Sequence, residues 1–383
     1  MRGGLLRSGF EETSEALYLS SGYVYESAEQ AEKAFTGEID RFVYSRFGNP
    51  TVAMFEERLR LIEGAPAAFG TSSGMSAVFI ALGALLKAGD RLVAARSLFG
   101  SCFVVCNEIL PRWGVETVFV DGEDLSQWEQ ALSVPTAAVF FETPSNPMQT
   151  LVDIAAVSEM AHAAGAKVVL DNVFATPLLQ QGLPLGVDVV IYSGTKHIDG
   201  QGRVLGGAIL GDKDYISGPV QTLMRHTGPA LSPFNAWVLL KGLETLSVRV
   251  NYSTASALRV AEFLEGHPGV RWVRYPYLPS HPQHDLAMRQ MSGGGTVVTF
   301  ELAAPDGGGK QRAFEVLDKL SVIDISNNLG DAKTLITHPA TTTHRAMGPE
   351  GRAAIGLGDA VVRISVGLEG TEDLIADLDR ALG

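Results

Sequence analysis

The most informative stretch of the chain is Val187-Asp188-Val189-Val190-Ile191-Tyr192-Ser193-Gly194-Thr195-Lys196. Its apolar, β-branched first half predicts a buried strand, and the small residues after Tyr192 predict a loop. Lys196 therefore follows directly after a strand. In α/β domains, ligands bind at the carboxyl ends of the strands. An amine at such a position is unsuited to a core and well suited to forming an imine with an aldehyde.

A second strand of the same character ends in an acid. The apolar run 166–170 leads directly into Asp171. Pyridoxal 5′-phosphate (PLP) requires an amine for its aldehyde and an acid for its ring nitrogen, and two strand ends supply both. We therefore predict PLP as the cofactor, with Lys196 and Asp171 as catalytic and cofactor-binding residues.

Strand and helix patterns alternate in the part of the chain that follows the first fifty residues and leads up to these motifs. Strands are predicted at 91–95, 115–120 and 137–141, and helices at 76–87 and 153–164. This alternation predicts an α/β fold, with a mostly parallel sheet flanked by helices.

The sequence pattern divides the chain into three parts. Residues 1–45 are polar and aromatic with little periodicity, so we expect an N-terminal arm that lies against a neighbouring subunit. Residues 46–245 form the predicted PLP-binding domain, and a long helix over 231–260 leads out of it. Residues 246–383, with predicted strands at 296–300 and 361–366, form a smaller C-terminal α+β domain.

Composition excludes several classes of partner. The formal charge of −13 argues against nucleic acid and anionic membranes, and a hydrophobic content of 46% allows a large core. Cys102 and Cys106 are the only cysteines, so we predict two reduced thiols in the core and no metal. The start of the chain lacks a signal-peptide pattern, and no apolar run approaches the ~20 residues of a membrane span. We therefore predict a cytoplasmic protein.

Two segments are candidates for binding the cofactor phosphate. The segment 71–75 precedes a predicted helix, whose first N–H groups attract anions, and Gly74 allows close backbone approach. An ordinary serine N-cap is the alternative, but the amine and the acid favour the phosphate role. Tyr44 and Arg46 can both reach phosphate oxygens, although a surface arginine near a turn has the same local pattern.

Two further residues are candidates for binding a substrate carboxylate. Asn146 lies in the loop 142–147, where two prolines restrict the backbone. It can act as a donor to a carboxylate or to the phenolic oxygen of the cofactor, or it can belong to a plain Pro-Asn turn. Arg363 lies in an apolar strand, and a buried guanidinium needs a partner. That partner is either a substrate carboxylate or a structural aspartate.

The chain resembles the fold type I PLP-dependent enzymes of Cys/Met metabolism, which include cystathionine γ-synthase, cystathionine lyases, methionine γ-lyase and the homoserine-ester sulfhydrylases. The resemblance extends from Tyr44 to the C-terminal helix. The motifs that carry it are Tyr44-Ser45-Arg46, Ser72-Ser73-Gly74-Met75, Glu142-Thr143-Pro144-Ser145-Asn146-Pro147, Asp171-Asn172, Ser193-Gly194-Thr195-Lys196, Thr337-His338-Pro339-Ala340 and Arg363-Ile364-Ser365-Val366-Gly367. The loop 200–207 is closest in character to the O-succinylhomoserine sulfhydrylase branch.

The resemblance implies a role for each matching residue. Lys196 would bind the cofactor covalently and move protons, and Asp171 would keep the ring nitrogen protonated. Phe99 stands where many relatives stack a tyrosine on the cofactor, so it would keep the stacking without the phenol. The residues implied for the phosphate are Gly74, Met75, Ser193 and Thr195, with Tyr44 and Arg46 of a neighbouring subunit. Those implied for the substrate carboxylate are Asn146, Asn328 and Arg363.

The implied reaction is γ-replacement on O-succinyl-L-homoserine by sulfide, giving L-homocysteine and succinate in methionine biosynthesis. The resemblance also implies a homotetramer with active sites shared across a dimer interface. Cystathionine γ-synthase activity with cysteine as the thiol and lyase activity on cystathionine or methionine are the alternatives. A non-catalytic binding protein is the alternative from another class. The acetyl or succinyl ester, sulfide or cysteine, and substrate contact or simple packing for Arg203 stay open.

Overall fold

The structure, a computed structural model, describes residues 2–383 and contains two β-sheets of different size. The strands are β1 Ala67–Thr71, β2 Arg91–Ala95, β3 Glu116–Val120, β4 Ala138–Glu142, β5 Lys167–Asp171, β6 Val189–Ser193, β7 Gly207–Gly211, β8 Val270–Arg274, β9 Val297–Leu302, β10 Asp324–Ile325, β11 Leu335–Thr337 and β12 Val361–Ser365.

The larger sheet has seven strands in the order β1-β7-β6-β5-β4-β2-β3. Strand β7 is antiparallel to both of its neighbours, and the other pairs are parallel. The predicted mostly parallel sheet is therefore confirmed. All five residues of β4 are buried, as expected for a strand covered on both faces. The carboxyl ends of β4, β5 and β6 consequently lie side by side at one edge.

Helices surround both sheets. They are α1 Ala28–Thr36, α2 Pro50–Glu63, α3 Gly74–Leu85, α4 Gly100–Val104, α5 Leu125–Leu132, α6 Ile154–Ala163, α7 Thr176–Leu179, α8 Lys213–Tyr215, α9 Gln221–Thr227, α10 Pro233–Gly266, α11 His284–Gln290, α12 Gly309–Lys319, α13 Gly348–Ala354 and α14 Thr371–Leu382. Short π-helical turns span Val105–Ile109, Gly194–Ile198 and Ile216–Val220, and 3-10 turns span Leu110–Trp113, Leu183–Leu185, Pro339–Thr341 and Arg345–Met347. Across residues 2–383, no helix combines the length and the apolar character needed to cross a membrane.

The smaller sheet follows helix α10 in the chain. Its five strands have the order β10-β11-β12-β9-β8, and only the β10–β11 pair is parallel. Helix α10 packs against α2 near its start and against β8 and α14 near its end, so it joins the two sheets. The predicted boundary between residues 245 and 246 falls inside this helix. The division into three parts remains a prediction.

Glu15 is one of several residues that attach the N-terminal segment, residues 2–45, to the rest of the chain. The carboxylate of Glu15 pairs with Arg58 of α2 at 2.5 Å and with Lys241 of α10 at 3.0 Å. Burial opposes its charge, but these two partners hold the pKa of Glu15 at about 2. Elsewhere the segment leaves large apolar side chains uncovered, with Phe10 94% and Val24 89% exposed.

A buried hydrogen-bond network lies beneath the carboxyl ends of β5 and β6. The Tyr192 hydroxyl donates to Glu63 Oε2 at 2.5 Å and accepts from Asn172 Nδ2 at 2.7 Å. Burial raises the pKa of Glu63 to about 7. The network ties the last residue of α2 to the strand that precedes Lys196 and to the residue that follows Asp171.

Replacing Glu63 by glutamine should make the protein less sensitive to alkaline pH. Because the pKa of Glu63 is raised from 4.5 to about 7 on folding, the folded protein binds more protons than the unfolded chain between these values. Stability is therefore lost as pH rises through this window. Glutamine cannot ionise and still accepts from Tyr192, so its advantage in melting temperature should grow from pH 5 to pH 8.

Scanning calorimetry at pH 5, 6.5 and 8 measures this difference, and Glu129→Gln, at an exposed position on α5, is the control. The melting temperatures of Glu63→Gln and Glu129→Gln should diverge as the pH rises. A gap between wild type and Glu63→Gln that stays constant across the range would contradict the buried titration.

Candidate active site

A cavity of about 760 Å³ lies at the carboxyl ends of β4, β5 and β6, between the two sheets. Most of the predicted site residues line it. They are Gly74, Met75, Phe99, Asn146, Asp171, Ser193, Thr195, Lys196 and Arg363. The convergence of these residues from six separate chain segments is the main structural support for the predicted site.

Lys196 lies on the turn Gly194–Ile198, which follows β6 directly. Its Nζ donates to Oδ1 of Asn328 at 2.5 Å. Burial, together with the nearby charge of Arg363, lowers the pKa of Lys196 to about 8. A lowered pKa increases the fraction of free amine at neutral pH, which is the nucleophilic form.

Asp171 is the last residue of β5 and is buried beside Lys196 in the cavity. Its Oδ1 accepts the backbone N–H of Val173 at 3.2 Å. Burial raises its pKa, and within residues 2–383 it forms no ion pair. A cation beside this carboxylate would reverse the shift, so the position fits a protonated ring nitrogen.

The start of helix α3 and the end of β6 form one wall of the cavity. A Cβ at Gly74 would lie 2.6 Å from the Cβ of Ser193, so glycine is what permits this close approach. The side chain of Ser73 caps the helix by accepting the N–H of Ser76 at 3.1 Å. The first N–H groups of a helix lack acceptors within the helix, so this wall suits an anion. Met75 and Thr195 line the same cavity.

Arg363 lies on β12 and reaches the cavity from the smaller sheet. Its Nη1 donates to Oδ1 of Asn146 at 2.9 Å, and its Nη2 donates to the backbone oxygen of Asn327 at 2.9 Å. Its buried Nε has no partner in the part of the chain that the structure describes. The acceptors of Arg363 are thus an amide and backbone carbonyls, not the structural aspartate considered above. A cavity-lining guanidinium with a free donor is suited to an anionic ligand.

Three predicted site residues have other surroundings. Asn328 binds Lys196 through its side chain, and its backbone oxygen accepts from Arg363 at 3.2 Å. The guanidinium of Arg46 donates to the backbone oxygen of Arg225, and Tyr44 is 41% exposed. Within residues 2–383, neither Tyr44 nor Arg46 lines the cavity of its own chain.

Arg203 packs against its own loop. Its Nε pairs with Asp199 Oδ1 at 2.9 Å, and its Nη2 donates to the backbone oxygen of the same residue at 2.9 Å. Of the two readings left open by the sequence, the structure supports packing.

Two residues of the site were missed by sequence reasoning. His344 is fully buried, its Nε2 donates to the backbone oxygen of Asn146 at 3.0 Å, and its Nδ1 accepts from Thr343 at 2.8 Å. Burial lowers the pKa of His344 to about 4, which keeps the ring neutral for this pairing. Glu142 ends β4 and lines the cavity. It follows an apolar strand as Asp171 does, and that shared pattern was the available signal.

The profile of the family described as Cys/Met metabolism PLP-dependent enzyme matches residues 3–383. The chain belongs to this family. It is 83% identical over 382 residues to the O-succinylhomoserine sulfhydrylase of Mycobacterium tuberculosis strain H37Rv, covering 100% of this chain and 94% of that relative. It is 48% identical over 382 residues to the enzyme of the same name from Pseudomonas aeruginosa, again covering 100% and 94%.

A solved structure from Campylobacter jejuni has the same architecture, with a TM-score of 0.94 and 32% sequence identity over 99% of this chain and 97% of the other. That structure contains N′-pyridoxyl-lysine-5′-monophosphate. PLP is the cofactor of the family and of this chain. The cavity fits it, because it is lined by a buried acid that forms no ion pair within residues 2–383, by an amine with a lowered pKa and by the start of a helix.

The amine of Lys196 in the cofactor-free protein should titrate well below an ordinary lysine. We expect its acetylation by trace acetic anhydride, followed by peptide mass spectrometry, to rise with a midpoint near pH 8 instead of 10.5. Arg363→Met should move the midpoint upward, because a nearby positive charge is lost. A wild-type midpoint near 10.5 would show that the amine is not desolvated in this way.

Proposed function

We propose that this enzyme catalyses γ-replacement on O-succinyl-L-homoserine with sulfide, giving L-homocysteine and succinate in methionine biosynthesis. Two relatives that match the whole chain, at 83% and 48% identity, are O-succinylhomoserine sulfhydrylases. The observation that carries the chemistry is the position of Lys196 in one cavity with Asp171 and Arg363.

PLP, when bound, supplies a ring that withdraws electrons from the substrate carbon atoms. In the proposed mechanism, Asp171 holds a proton on the ring nitrogen through its buried carboxylate. Lys196 Nζ takes the proton from the substrate Cα and handles the later proton transfers at Cβ. Phe99 has no phenol, so no hydroxyl at that position shares this work.

The substrate α-carboxylate is assigned to Arg363 and Asn146. The Nε of Arg363 is a donor without a partner in the described residues. The amide oxygen of Asn146 already accepts from Arg363, so the Nδ2 of Asn146 is left to donate to the carboxylate. Because His344 binds the backbone of Asn146, the pair is held in one orientation. A carboxylate fixed at this end sets the Cα–H bond relative to Lys196.

The phosphate is assigned to the wall formed by Gly74, Met75, Ser193 and Thr195. The N-terminus of α3 supplies N–H groups and a favourable dipole. On the facing side Ser193 ends β6, and Thr195 lies in the turn that follows it. Asn328 is assigned to orient the Lys196 amine through its Oδ1, in addition to the predicted substrate contact.

A product assay tests the proposal. Purified protein loaded with PLP should convert O-succinyl-L-homoserine and sulfide to homocysteine, with slower turnover of the acetyl ester or of cysteine as thiol. Lys196→Ala should lower turnover by about 10³-fold or more, because it removes the proton-transfer group. Cystathionine as the main product with cysteine would establish γ-synthase chemistry instead. Rapid 2-oxo acid release without an ester would establish a lyase.

We further propose a homotetramer in which Tyr44 and Arg46 complete the phosphate site of a neighbouring subunit. Both residues lie away from the cavity of their own chain, and the N-terminal segment exposes Phe10 and Val24. A subunit contact over this segment would remove these apolar side chains from water. A cytoplasmic location is part of the proposal, since buried unpaired thiols at Cys102 and Cys106 fit a reducing compartment.

Mixing inactive variants tests the shared site. Arg46→Ala and Lys196→Ala should each be impaired, and the co-expressed mixture should recover roughly a quarter of wild-type activity, because about half of the subunit pairs are hybrids and each hybrid has one intact site of two. The matched control pairs Lys196→Ala with Asp171→Ala, which lie in one cavity of one chain, and should recover nothing. Recovery confined to the control, or a fully active Arg46→Ala, would contradict the shared site.

A further inference from the structure

The carboxyl group of Glu142 is placed where it can set the position of Phe99. Glu142 ends β4, is 3% exposed and lines the cavity. Its Oε2 accepts the backbone N–H of Phe99 at 2.9 Å. The two residues belong to different chain segments, so this hydrogen bond ties the loop after β2 to the end of a central strand.

Other contacts also restrain the loop that carries Phe99. The backbone oxygen of Phe99 accepts the N–H of Phe103 at 3.0 Å, and its side chain packs against a buried apolar cluster. Phe99 is the residue before helix α4 and has no side-chain cap of its own. The residue after it packs closely, since a Cβ at Gly100 would lie 2.8 Å from the backbone oxygen of Thr343. The bond to Glu142 adds a restraint at the backbone N–H of Phe99 itself, next to the point from which its side chain enters the cavity.

The surroundings of Glu142 indicate that it serves as a hydrogen-bond acceptor more than as a charge. Asp171 is its register partner in the sheet, so two buried carboxyl groups lie side by side. Burial and the charge of Asp171 raise the pKa of Glu142 well above its ordinary value, against the opposing effects of the Phe99 N–H and Arg363. An uncharged acceptor of the same shape should therefore preserve its contact with Phe99.

We infer that Glu142 is a positioning residue that holds the Phe99 ring against the bound cofactor. The inference rests on the proposed stacking of Phe99 on the PLP ring. Glu142 acts through the Phe99 backbone, and glutamine should replace it because the amide oxygen accepts the same N–H. If Glu142 only stabilised the fold, its effect on PLP binding would not depend on which side chain stands at position 99.

Cofactor binding to dialysed protein tests the inference without any turnover. Glu142→Ala should raise the PLP dissociation constant by about tenfold, as expected for loss of one buried hydrogen bond. It should also reduce the visible circular dichroism of bound PLP. Glu142→Gln should stay within about threefold of wild type. Glu142→Leu replaces the alanine variant if that protein does not fold.

Glu56→Ala is the matched control, because Glu56 also accepts a backbone N–H, that of Gly70 at 2.7 Å, and lies outside this cavity. It should leave the circular dichroism of PLP unchanged. Wild-type binding and dichroism in Glu142→Ala, or equal losses in Glu142→Gln and Glu142→Ala, would overturn the inference.

Phe99→Leu separates failure of the inference from failure of the stacking proposal. If Glu142 acts through Phe99, the effects of Glu142→Ala and Phe99→Leu on PLP affinity should be far from additive in the double variant. A loss in Phe99→Leu with no loss in Glu142→Ala, or additive losses, would refute the positioning role and leave stacking intact. No loss in either variant would refute both.

Discussion

The side chain of Arg249 holds together the junction on which the active site depends. From helix α10 it donates to the backbone oxygens of His197 at 2.8 Å and of Ile198 at 3.3 Å, both in the turn Gly194–Ile198. These bonds fix the turn that carries Lys196 to the helix joining both sheets. The backbone N–H of Ala332, in the segment preceding β11, donates to Gly200 at 2.7 Å, and Asn328 binds the amine itself. The reactive amine is thus held from both sides.

Buried charge is the second constraint on the site. Asp171, Glu142, Lys196 and Arg363 share one cavity, and burial shifts the pKa of each toward its neutral form. Such an arrangement is costly in an apolar interior unless partners of opposite charge arrive. In the proposed function a protonated ring nitrogen and a substrate carboxylate would be those partners, so the electrostatics of the protein would match the charges of its cofactor and substrate.

The two sheets contribute different functions to this cavity. The seven-stranded sheet provides Lys196, Asp171 and the start of α3, which we propose bind the cofactor. The smaller sheet provides Arg363, and His344 links it to the loop of Asn146. Because the proposed substrate contacts lie on both sheets, the distance between the two sheets would set the distance between the carboxylate contact and the amine.

Local sequence was sufficient to predict the α/β fold, the two strand-end residues Lys196 and Asp171, and the candidate Arg363. Lys196 and Asp171 stand where an apolar strand pattern ends, and Arg363 is a charged residue within such a pattern. These patterns are visible in the residues immediately around each position. The bond from Glu142 to Phe99, the contact of His344 with Asn146, and the packing of Arg203 on Asp199 were not predictable in this way. The first two join residues distant in sequence, and the third depends on the path of a loop. Only folding brings such atoms within hydrogen-bond distance.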